Sequence, residues 1–113
     1  YTVTNYVLPY LNGIAAGFSG ASILDEKGIL FSASVENTAN EIDDGAILGS
    51  FIGIINQQEK TVGCEVISQN NQIVPVKIES VCLKQTTGNI HTLLAVTDSD
   101  GGASEVLEIE LTE

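Results

Sequence analysis

Hydrophobic and polar residues alternate with a period of two along most of this chain, the pattern of strands with one face buried. Residues 2–8 (TVTNYVL) are rich in β-formers and stop at Pro9, which cannot donate to a ladder. Asn12-Gly13 is a turn signal. Residues 19–24 (SGASIL) and 29–35 (ILFSASV) read as a hairpin across Asp25-Glu26-Lys27-Gly28. After a long polar loop, 50–55 (SFIGII) and 62–67 (VGCEVI) follow, turned by 57–60. A polar turn at 69–72 leads to 76–83 (VKIESVCL), a hairpin loop at 85–89, and 91–97 (HTLLAVT). The last segment has a continuous apolar centre, as in a strand covered on both faces. The DSDGG turn then leads into 105–111 (EVLEIEL), where Leu107, Ile109 and Leu111 take one face and Glu108 and Glu110 the other. Only 7–16 resembles a helix, and Pro9 and Gly13 weaken it. The fold class predicted is all-β and antiparallel, with under about a tenth of residues in helix.

The order of strand types repeats. SGASIL–hairpin–LFSASVE–loop–SFIGII lies over IESVCL–hairpin–LLAVTD–turn–EVLEIEL, with Ser19 on Ile78, Glu36 on Asp98 and Phe51 on Val106. A repeating unit of three or four antiparallel strands, about 50 residues long, has the size of a β-propeller blade. A blade cannot bury both faces alone, so blades stack. The prediction is therefore about two blades, a fragment of a propeller. Residues 1–12 hold the outer strand of a preceding blade, 13–70 one complete blade, and 71–113 a three-stranded last blade. The start on Tyr1 instead of Met fits a processed product or a piece of a longer protein. The partners expected are the remaining blades or a second copy of the chain.

Charge narrows the partners further. Fifteen acids face four lysines, with no arginine, for a net charge of −11. Phosphate neutralisation needs a basic stripe, so nucleic acid is excluded, as is an anionic membrane surface. No apolar run approaches the ~20 residues of a membrane helix. Either a cytoplasmic or an exported location is compatible with this composition. Cys64 and Cys82 sit in alternating apolar runs and read as two buried, unpaired thiols.

GFSGASIL, ILFSASVE, DDGAILGSFIGII, KIESVCL and LLAVTDSDGGASEVLEIEL together resemble the C-terminal part of an uncharacterised bacterial β-propeller family. That family is distantly similar to phytase-like and esterase-like propellers. The resemblance to phytase-like propellers implies acidic residues at inner strand ends that hold calcium, with a substrate phosphate resting on the metals and on basic side chains. The acidic part falls to Glu36, Asp43, Asp44, Glu79, Asp98 and Asp100. The basic part is missing here, since there is no arginine.

The residues themselves leave both readings open. Glu36, Glu41, Asp43 and Asp44 crowd one loop before Gly45, and hard cations such as Ca²⁺ take six to eight oxygen ligands from such turns. The bland account is a solvated acidic loop. DSDGG lacks the third acid of a calcium loop, and its twelfth position is Ile109, so a hairpin turn is the better reading. Glu79 interrupts an inner strand, where an unpaired carboxylate is costly; Lys77 offers it an ion pair. His91 reads as a surface or edge residue, since Ser19 or Ser80 with a lone histidine makes no triad. The metal-site candidates are Glu36, Asp43, Asp44, Glu79 and Asp98, with Ca²⁺ the cation. The functional alternatives are an acidic scaffold or binding module, and a metal-dependent hydrolase whose site is shared with other blades.

Overall fold

Two stacked antiparallel sheets account for nearly all of the regular structure. The structure is a computed structural model that describes residues 1–37, 46–98 and 102–113. Sheet 1 has the order β3 (Gly17–Ile23), β4 (Gly28–Glu36), β5 (Ile47–Asn56), β6 (Thr61–Val66). Sheet 2 has the order β9 (Ile78–Thr87), β10 (Ile90–Thr97), β11 (Val106–Thr112). Two short ribbons complete the fold, β1 (Tyr10–Leu11) with β2 (Ile14–Ala15), and β7 (Ser68–Gln69) with β8 (Gln72–Ile73). There is no helix among the described residues.

Local chemistry sets the turns. Asn12 and Gly13 both take positive φ (51° and 78°), as do Asn70 and Asn71 (52° and 63°). Two such residues in a row make the primed turn whose twist matches the flanking strands. Gly88, at φ 61°, opens the two-residue loop between β9 and β10. Asp25 Oδ1 accepts from the Lys27 and Gly28 N–H groups, and Asn56 Oδ1 from those of Gln58 and Glu59. Each carboxylate or amide supplies the backbone partner that its turn lacks.

The first core lies between the sheets. Leu30 and Ile52 from sheet 1 meet Ile78, Val81, Leu93, Ala95 and Leu111 from sheet 2, all buried. A second core covers the far face of sheet 1, where Phe31, Ala33, Val35, Phe51 and Ile55 pack under Leu8 and the partly buried Tyr6, Leu11 and Ile14. Sheet 1 is thus apolar on both faces.

The register shows how the two sheets correspond. Phe31 pairs with Ala21 and Gly53, and Leu93 with Leu83 and Ile109. Ala33 pairs with Phe51, and Ala95 with Leu107. The equivalent of Phe51 is therefore Leu107, not Val106. Slipping by one residue would swap faces: Phe51 is buried and Val106 is 70% exposed. The first strands also align differently from the sequence overlay, with Gly20 (opposite Ser32) matching Cys82 (opposite Leu94). Bulges displace the pairing, one in β3 between Phe18 and Gly20 and two in β9. Each inserts a residue that period-two counting does not see.

Other expectations need correction. Residues 2–8 form no strand; they lie over the second core through Tyr6 and Leu8 and leave Val3 and Val7 exposed. β10 is covered on one face only, since Leu94 is half-buried and Val96 exposed. Cys64 is half-buried and Cys82 exposed on that uncovered face, because its partner in the ladder is Leu94; both thiols are free. His91 is buried, because even spacing places it on the same face as Leu93 and Ala95.

The inner strands touch most closely at Gly20. A Cβ there would sit 2.8 Å from the Glu79 carbonyl oxygen and 2.9 Å from the Ser80 Cα. Ser50, fully buried, ties sheet 1 to the chain entering β9: its Oγ donates to the Val76 carbonyl (2.7 Å) and accepts from the Ile78 N–H (3.2 Å). Gly20→Ala forces these backbones apart and should cost about 1–3 kcal/mol, the range for overpacking. At Gly63 nothing lies within 4 Å of an added Cβ. Gly63→Ala should be neutral or stabilising by up to about 1 kcal/mol. Urea titration of both variants checks this, and equal midpoints would contradict the close approach.

Candidate functional site

Two ends of the sheet stack carry the polar chemistry. At the first, β4 ends in Glu36, β9 begins at Ile78, and β10 ends at Thr97, the ladder partner of Ile78. Lys77 stands at the centre. Its Nζ lies 2.8 Å from Glu36 Oε1 and 3.6 Å from Glu79 Oε1. One ammonium therefore neutralises two of the five carboxylates expected to hold a metal. Asp98 follows Thr97 at the same end and is exposed. Asp43, Asp44 and Asp100 lie outside the described residues. Among the described residues, no group of three His, Cys, Asp or Glu side chains is placed to hold a metal ion.

The hydrogen bond from Lys77 to Glu36 holds its ammonium above the ordinary lysine value, with the charges of Glu36 and Glu79 adding to it and partial burial opposing. Glu79 is not a buried, unpaired charge. Its side chain keeps 38% of its surface, at the bulge between Ile78 and Ser80.

The opposite end holds an arrangement that the sequence did not suggest. His91 Nδ1 lies 2.8 Å from Thr86 Oγ1, and Nε2 lies 2.7 Å from Glu113 Oε2. A hydroxyl, an imidazole and a carboxylate in a row have the order of a nucleophilic relay. Here they join β9, β10 and the residue after β11. The Glu113 N–H also donates to the Asn89 carbonyl at 2.7 Å, so the bonds act as a pin across the sheet end. The Glu113 side chain is 60% exposed, unlike the water-excluded acid that orients a catalytic histidine. Even spacing from Leu93 and Ala95 was the signal that His91 faces inward. Nothing in the sequence pairs Thr86 with Glu113.

Ser19 is engaged by Ser32, Oγ to Oγ at 2.9 Å. Burial, and secondarily the neighbouring Glu65, push the Cys64 thiol above its ordinary value. It stays protonated near neutrality and is a poor nucleophile.

The Lys77 ammonium gives a pH signature. Its folded value is raised, so the pair's contribution is complete below the unfolded value, near 10.5, and is lost as pH rises through the folded value. Lys77→Met should lower stability by roughly 0.2–1 kcal/mol at pH 8, as for a solvent-accessible pair. The difference from the parent protein should shrink above pH 10.5. Urea titrations of both proteins across this range test it. A difference unchanged at high pH would assign the effect to packing of the lysine stem.

No curated protein and no solved structure matches the chain. A family model does match it, over residues 1–111, described as a family of unknown function, DUF6929. Since the match covers all but the last two of the 113 residues, the chain belongs to the DUF6929 family.

Proposed function

We propose that this chain is a scaffold and binding module, two consecutive blades of a β-propeller, whose acidic rim takes a divalent cation of the Ca²⁺ type. The observation that carries the reading is the shared register of the two sheets, which stack face to face with β3 and β9 innermost. Two apolar faces on sheet 1 are what a blade flanked on both sides requires. On this reading, further blades or a second copy of the chain cover the open face of sheet 2.

The rim is supported by charge. Glu36, Glu79 and Asp98 share one end of the stack, and the sequence sends the loop carrying Asp43 and Asp44 out from Glu36. Lys77 acts as a built-in cation for Glu36 and Glu79, which assigns added Ca²⁺ chiefly to Asp43, Asp44 and Asp98. The hydrolase alternative has weaker support. A phosphate ester needs cationic groups as well as metals, there is no arginine in the sequence, and Lys77 is committed to two carboxylates.

A ligand that binds only the folded state raises its stability by mass action. Calorimetry should show the melting temperature rise by several degrees in millimolar CaCl₂ and return with chelator. Asp43→Asn with Asp44→Asn should abolish the rise, and Lys77→Met should enlarge it by freeing Glu36 and Glu79. A melting curve indifferent to calcium overturns the cation site. A rise that survives the double substitution moves it elsewhere.

A further inference from the structure

The same small hairpin precedes each sheet. The Ala16 N–H closes the β1–β2 ribbon by donating to the Pro9 carbonyl, and the Val74 N–H closes the β7–β8 ribbon by donating to the Ile67 carbonyl, both at 3.0 Å. Both turn residues have positive φ in each, Asn12-Gly13 in one and Asn70-Asn71 in the other. Hairpins 9–16 and 67–74 are therefore equivalent, position for position. Both stand at the end of the stack that holds Glu36 and Lys77, because β3 starts there opposite Ser34 and β6 ends there opposite Phe51. They meet over Gly49, where an added Cβ would lie 3.2 Å from Leu11 Cδ2 and 3.1 Å from Ile73 Cγ2.

Their surface is unlike the rest of the chain. Fifteen acids and four lysines are spread over the sequence, yet residues 1–24 and 66–76 carry no charged side chain. Every residue of 68–73 is exposed, as are Tyr10, Asn12 and Ala15. Tyr10 is 64% exposed, and its ladder partner is only the methyl side chain of Ala15. Residues 69–72 (QNNQ) are an unbroken run of amides. An amide both donates and accepts, and so matches a hydroxyl in either role.

We propose that the two hairpins form a binding surface for a neutral oligosaccharide, with Tyr10 stacked on a sugar ring and the amides of Asn12 and residues 69–72 bonded to its hydroxyls. A tyrosine gives a large contact at little entropic cost, and small amide side chains adapt their hydrogen bonds. An uncharged surface takes up a polar ligand without stripping water from an ion. Equivalent hairpins side by side suit a chain of like units, since the second contact becomes intramolecular once the first is made. Glu36, Glu79 and Asp98 at the same end repel uronate or sulfate groups, so the saccharide is neutral. Residues 68–72 offer no apolar anchor for the core of a protein interface. The proposal goes beyond the cation-binding scaffold above and uses neither the cation site nor further blades.

The probes are cellohexaose and maltohexaose, each titrated to millimolar concentration into the ¹⁵N-labelled full chain in calcium-free buffer. At least one should shift the amides of 10–15 and 68–73 together, with the side-chain amides of 69–72. Tyr10→Ala should weaken that binding roughly tenfold. Asn70→Gly with Asn71→Gly should do the same while keeping the positive φ of the turn. Folding of both variants is read from their otherwise unchanged spectra. Hexagalacturonate, the charged counterpart, should leave the hairpin amides in place. Silence of both neutral hexasaccharides, shifts outside the hairpins, an equal response to hexagalacturonate, or undiminished binding by either variant overturns the saccharide surface. Shifts of the hairpin amides with protein concentration alone would assign the surface to a second copy and overturn it as well. The calcium response is read separately by calorimetry, so the two readings fail separately.

Discussion

β3 and β9 approach so closely at Gly20 that a methyl group would strike the backbone of Glu79 and Ser80. The rest of the architecture follows from this crossing. Small residues, Gly20, Ser32 and Ser50, lie where the sheets meet tightly, while Ile52, Ile54, Leu107, Ile109 and Leu111 lie toward the outer strands. The gradient in side-chain size opens the stack outward like a wedge. Ser50 fixes the angle, because its buried hydroxyl satisfies both the Val76 carbonyl and the Ile78 N–H. Without it two backbone groups would be left without partners at the point where the chain passes between sheets. Among the described residues, the clefts between β6 and β11 mark the open side of the same wedge.

Charge is kept away from that packing. Within the sheet stack, the acids lie at strand ends, in turns or on outward faces, and two of the four lysines are paired locally. Lys77 bridges Glu36 and Glu79, and Lys84 holds Glu108 at 2.7 Å. The chain retains a strong negative charge with no arginine to offset it.

Strands were legible in the sequence wherever alternation and turn chemistry agreed. The Asn12-Gly13 turn and β4, β5, β6, β10 and β11 fall within a few residues of where the pattern places them. Alternation measures only the capacity to pair, however. Residues 2–8 have that capacity and form no strand, while Leu8 and Tyr6 serve the second core instead. The repeat was visible but misregistered, because bulges in β3 and β9 add residues without changing strand type. Cys82 and Leu94 share an open face, which depends on which sheet surface meets the other and not on either strand's own pattern. For the rim, the sequence placed Glu36 beside its repeat partner Asp98 and named Lys77 as the rival to a metal at Glu79. Geometry favours the lysine there. The Thr86–His91–Glu113 pin is completed by Glu113, 22 residues from His91, so no local motif announces it.

The close contact at Gly20 clamps the sheets along their inner strands, and they part along their outer ones. Native-state hydrogen exchange resolves this strand by strand, since amides that open only on global unfolding exchange slowest. The slowest amides are expected in β4 and β10, with β3 and β9 protected where they cross at Gly20. Amides of β6 and β11 beside the clefts should exchange distinctly faster through local opening. Uniform protection from β3 to β6 and from β9 to β11 would contradict the wedge, as would outer strands slower than inner ones.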